Sequence, residues 1–143
     1  MADTKDKNEY NRLVKEKISK QNQYNSCKAR IEENEYLLKR LRSVKETVAE
    51  QKKAFKQIKK DDKNTIKDKY SWKGSNYNDF KSKGADLLDE DERYYKHSID
   101  YVLDSLNNEI TRIENEILKE YGLLGRLGSA INSLTNKIVN FFN

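Results

Sequence analysis

The side chains able to do chemistry are few, and their spacing does not assemble them. His97 is the single histidine and Cys27 the single cysteine. A structural or catalytic zinc site needs three or four such ligands at short spacing, so no metal set is expected. The acidic run Asp89-Glu90-Asp91-Glu92 lacks the alternating positions and central glycine of a calcium loop, and reads as a solvated helix face. There is no nucleophile elbow and no phosphate-cradling glycine loop. The chain therefore reads as non-enzymatic, with no cofactor. A lone cysteine excludes an intrachain disulfide. Because it falls on an apolar stripe, Cys27 reads as a small buried hydrophobe.

The elements that carry these residues follow from composition. The chain has 143 residues, enough for one domain. Charged residues make up 37% and hydrophobic ones 35%, with no proline and 5 glycines. That is thin material for a globular core, yet the apolar residues are too regularly patterned for disorder. Long helices that each bury one narrow stripe fit both facts.

The first arm, about residues 5–69, carries its stripe at alternating three- and four-residue steps. Tyr24, Cys27, Ile31, Leu38, Leu41, Val48 and Phe55 form it, with Asn34, Lys45 and Lys52 in the gaps. Leu37, Val44 and Ile58 flank that face, and Leu13 and Ile18 extend it toward the amino end. Lysines at seam positions can lay their stems on apolar surface and keep the ammonium in water. The second arm, about 80–143, is more regular. Leu103, Ile110, Ile117, Leu124, Ile131 and Ile138 recur every seven residues, and Leu106, Ile113, Leu127, Leu134 and Phe141 accompany them. Glu120 alone interrupts this heptad seam, which demands a partner helix.

Between the arms, residues 70–79 gather Ser, Gly and Asn as nowhere else, and mark the turn. Gly74 supplies the backbone freedom to reverse direction, while Trp72 and Phe80 can pack across the reversal. The expected fold is all-α: a long antiparallel two-helix hairpin, coiled-coil-like, forming a single domain over 1–143. Pairing about this turn brings together residues whose numbers sum to roughly 150. Lys52, Lys53, Lys56, Lys59 and Lys60 then face Asp86, Asp89, Glu90, Asp91 and Glu92. Such exposed pairs are worth under ~1 kcal/mol each, so they select register more than they stabilise.

The net charge of +5 is divided unevenly. Residues 1–69 hold 20 Lys/Arg against 12 Asp/Glu, and residues 70–143 hold 9 against 12. A basic arm beside an acidic one describes mutual attraction better than a nucleic-acid reader, and no nucleic acid is expected. The amino-terminal residues are charged and lack a signal-peptide apolar core, so Sec-type export is not expected. No run of about 18 apolar residues suggests a membrane span.

Trp72-x-Gly74 at the single turn of a proline-free helical hairpin, followed by Phe80, resembles the WXG group of type VII secretion proteins. Within it, the chain looks most like the YwqH-like helical proteins associated with LXG toxins in Gram-positive bacteria. The resemblance implies a partner, chaperone or targeting factor. It would bind the helical LXG domain of an effector, beside a second small helical partner, and help present it to the secretion ATPase. It further implies a cytoplasmic protein, with co-secretion through the type VII pathway as an open alternative. The family's Tyr-x-x-x-Asp/Glu or Phe-x-x-x-Asp export signal is not met. Tyr95 and Tyr101 lack an acid four residues on, and Phe80 has Gly84 there. That departure points to a composite signal supplied with a partner.

The expected partner surface is the distal seam of the second arm: Ile117, Tyr121, Leu124, Leu127, Ile131, Leu134, Ile138 and Phe141, joined by Tyr10, Leu13 and Ile18. The first 23 residues carry too few apolar side chains to cover it, and an exposed stripe of that length marks an interaction site. Gly122, Gly125 and Gly128 read either as a helix break or as a smooth face for close packing. Two other readings stay open: a structural coiled-coil adaptor or homodimer, and a membrane-contacting protein using its amphipathic tail.

Overall fold

The computed structural model describes the backbone of residues 3–68 and 75–143, and the side chains of residues 3–62 and 82–143. Two helices account for it: α1, Asp3–Asp68, and α2, Ser75–Val139. They pack against each other as an all-α helical hairpin, with no strand among the described residues. Trp72 and Gly74 lie outside the described residues, and Phe80 lies in α2 with its side chain outside them. Helix α2 starts at Ser75, earlier than the start expected near 80. Ser and Asn, the residue types at 75 and 76, are favoured at a helix amino end, so the sequence also allows this earlier start.

The packing divides into two compact units, Met1–Lys39 with Thr111–Asn143, and Arg40–Ile110. In the first, Leu13, Cys27, Ile31 and Leu38 are buried from α1, and Ile113, Ile117, Leu127 and Leu134 from α2. Cys27, Ile31 and Leu127 form its tightest cluster, with Tyr24, Leu123 and Leu124 against it. At its end a short turn follows α2, closed by Asn140 N–H to Asn136 O at 3.0 Å and Phe141 N–H to Ile138 O at 3.3 Å. It sets Phe141 and Phe142 against Tyr10, with ring centroids 5.8 and 5.2 Å away. Truncating a buried leucine of this seam costs about 2–5 kcal/mol in general.

In the second unit Ile99 and Ile110 are buried, and Phe55 stacks on Tyr95 with centroids 3.8 Å apart. Lys59, buried to 11% side-chain exposure, reaches Asp89 at 3.0 Å and also pairs with Glu92. Lys52 pairs with Asp100 instead of the 86–92 cluster. The register explains both. In each unit the numbers of contacting residues sum to about 150, which sets Lys59 beside residues 89–92 and Lys52 near 98–100.

Candidate functional site

The seam residues expected from periodicity sit where helical packing puts them, and this corrects the expectation of an uncovered distal stripe. Leu13, Ile117, Leu127 and Leu134 are buried inside the hairpin, and Leu124, Ile131, Ile138 and Phe141 are half-buried. Cys27 and Ile31, beyond the first 23 residues of α1, pack with Leu127. Tyr10 meets Phe141 and Phe142, while Val14, Lys17, Lys20 and Tyr24 are half-buried along α1. Lysine stems and tyrosine rings supply apolar area while their polar tips stay wet. Tyr121 is exposed, and its hydroxyl donates to Glu35 Oε1 at 2.8 Å. Ile18 is 56% exposed and faces away from the seam.

Glu120, the single break in the heptad of α2, is met by a matching set on α1. Arg30 Nε donates to Glu120 Oε1 at 3.1 Å and Nη2 to Oε2 at 3.2 Å. The Cys27 thiol lies 3.0 Å from Glu120 Oε2 and 3.2 Å from its carbonyl oxygen. The Arg30 guanidinium, then the thiol, hold the Glu120 carboxyl below the usual carboxylate range. Burial, then the neighbouring Glu120, push the Cys27 thiol up. A thiol kept protonated is a poor nucleophile and a poor metal ligand. Cys27 is thus a packed donor, and the clasp is an element of register. Periodicity exposed the gap at Glu120, but nothing local indicated that Cys27 and Arg30 would fill it.

The same unit carries an open groove of about 600 Å³ along one flank. Lys15, Ser19, Ser26 and Arg30 line it from α1, and Leu123 and Leu127 from α2. A smaller one of about 440 Å³ is bounded by charged side chains, among them Glu33, Glu116 and Lys119. Helix α2 runs unbroken through the three glycines, so they are not a break. A Cβ placed at Gly122 or Gly125 would meet nothing within 4 Å, and one at Gly128 would meet Tyr24 Cε2 at 3.8 Å. Gly122 and Gly125 therefore open to solvent instead of packing against α1. Among the described residues no group of three His, Cys, Asp or Glu side chains could hold a metal ion, and no helix is long and apolar enough to cross a membrane.

A two-helix hairpin with a closed seam, an internal polar clasp and a groove on one flank defines a small helical protein whose useful surface is its exterior. The chain belongs to the YwqH-like family, whose model matches residues 15–136. That match spans both helical segments of the clasp and the whole groove. No curated protein and no solved structure matches the chain.

Proposed function

We propose that this protein is a non-enzymatic partner, chaperone or targeting factor that binds the helical LXG domain of a type VII secretion effector. Membership of the YwqH-like family carries this reading. The hairpin adds support of a physical kind. Its seam is satisfied internally, so the protein can fold before it meets a partner and offer preformed helix flanks to another helical domain. Within this reading a second small helical partner joins the complex, and the secretion ATPase engages it indirectly. The protein acts from the cytoplasm, with or without leaving alongside its effector.

The test is co-expression of the full chain with the amino-terminal domain of the toxin encoded beside it. Co-elution at fixed stoichiometry is expected. Separate elution at every concentration tried would sink the proposal.

One observation favours the coiled-coil alternative. Leu87, Tyr94 and Tyr101 recur every seven residues on α2 and are 63, 79 and 75% exposed. A stripe of that kind suits self-association. Light scattering of the isolated protein separates the readings, since a partner factor stays monomeric until its effector is added.

A further inference from the structure

We propose that the outer face of α2 along Leu87, Tyr94 and Tyr101 docks a basic amphipathic helix of the partner. This deepens the functional reading above and rests on it.

Helical period builds that face. Leu87, Tyr94 and Tyr101 stand seven residues apart, which keeps them near one line with about 10 Å between neighbours. The other side of the same stretch meets α1: Glu92 pairs with Lys59, Tyr95 stacks on Phe55, and Ile99 is buried. The stripe side chains are left largely exposed, and Val102 beside Tyr101 is exposed as well. Tyrosine rings bury large area at low entropy cost and keep a polar tip in water, so two of them in line suit an interface.

Charge decides what can lie there. Residues three or four positions away are a residue's neighbours on the helix surface. For the stripe those positions hold three carboxylates, Glu90, Asp91 and Asp104, against the single ammonium of Lys83, and the rest are uncharged at pH 7. Glu90 and Asp91 stand between Leu87 and Tyr94, and Asp104 lies one turn beyond Tyr101. These three acids form no ion pair among the described residues, whereas Asp89, Glu92 and Asp100 answer Lys59 and Lys52 of α1. One position before each stripe residue, Asp86 and Arg93 offset each other and Asp100 is held by Lys52. Partner lysines and arginines would meet the carboxylates and lie over the tyrosine rings, whose faces attract a cation. The apolar stripe by itself suits self-association, but a second copy laid along it would bring carboxylate toward carboxylate. Its neighbours thus turn it toward a helix of opposite charge.

The experiment uses the full chain and the helical amino-terminal domain of the neighbouring toxin, with affinity measured by calorimetry across a salt series. Tyr94→Ala with Tyr101→Ala removes the rings, and Glu90→Lys with Asp91→Lys reverses the charge. Leu118→Ala removes an exposed apolar side chain elsewhere on α2. All these positions are exposed, and circular dichroism checks that every variant remains folded. Wild type and Leu118→Ala are expected to bind alike, and more weakly as salt rises. Both double variants are expected to bind about tenfold more weakly or worse, the charge-reversed one with its salt dependence flattened. If wild type binds and both double variants match it, or if Leu118→Ala costs as much, the stripe is overturned while the functional reading stands. If only one double variant weakens binding, the basic amphipathic helix is overturned as the occupant. If wild type does not bind the domain, the functional reading falls and takes this inference with it. Light scattering of the isolated chain is run beside these. A dimer that the ring variant dissolves puts a second copy on the stripe and overturns the partner helix.

Discussion

Arg30 on α1 holds Glu120 on α2 with a two-pronged ion pair, at the one place where the heptad of α2 is interrupted. A carboxylate at a seam position is tolerable only with such partners, because a desolvated charge without them is costly. Removing the cation should therefore hurt, and removing the carboxylate should not. Arg30→Ala is expected to lower the melting temperature, because the Glu120 carboxylate then loses its cation. Glu120→Leu is expected to raise the melting temperature and to promote self-association, since α2 then carries an unbroken apolar heptad from Leu103 to Phe141. Thermal melts and light scattering of the two variants check both parts.

Acid should open this clasp. The folded-state pKa of Glu120 is depressed, by the Arg30 hydrogen bonds first and the Cys27 contact second. Its contribution is thus fully present above the ordinary carboxylate range and is lost as pH falls through the lower folded value. Wild type should lose stability at acid pH more steeply than Glu120→Gln, whose melting midpoint lacks that titration. Equal slopes for the two proteins would exclude the clasp as a source of acid sensitivity.

Cys27 should resist alkylation. The side chain is fully buried and its thiol is pushed up by burial, then by Glu120, so little thiolate forms near neutral pH. Iodoacetamide should label the native protein much more slowly than the urea-unfolded chain. The raised pKa also means that stability is intact below the ordinary thiol range and declines as pH rises through the folded value. Fast labelling of the native protein would show that the seam opens around Cys27.

Gly122→Ala and Gly125→Ala should each stabilise the hairpin by about 1 kcal/mol, because alanine costs less helix entropy and the added methyl meets empty space. Circular dichroism melts of each single variant and of the pair would read the gain. An unchanged midpoint would mean that this part of α2 is not helical in solution.

Phe55 and Tyr95 should be coupled. Their rings stack at a centroid separation of 3.8 Å across the hairpin. A double-mutant cycle to alanine is expected to give a coupling energy of about 0.5–1.5 kcal/mol. Simple additivity would mean that the stack is absent in solution.

Much of the architecture was legible in the one-dimensional pattern. The stripe from Tyr24 to Phe55 and the paired heptads of α2 are the seam observed, and the antiparallel sum near 150 set Lys59 against Asp89 and Glu92. These follow from helical period and from charge order, which are properties of neighbours in sequence. Counting apolar residues failed on the distal stripe. That count stopped at residue 23, whereas Leu127 packs with Cys27 and Ile31 beside Tyr24, and Phe141 meets the Tyr10 ring.

By itself, then, the sequence determined that the chain is two long helices, which face each buries and the register in which they meet. It also marked Glu120 as the flaw in the seam. Only the tertiary structure decided what answers that flaw, which flank is left as a groove and which glycines face solvent. Those outcomes depend on contacts between residues some ninety positions apart and on how each side chain leans from its helix. Period and composition describe one helix at a time, whereas the clasp and the groove exist only where two helices meet.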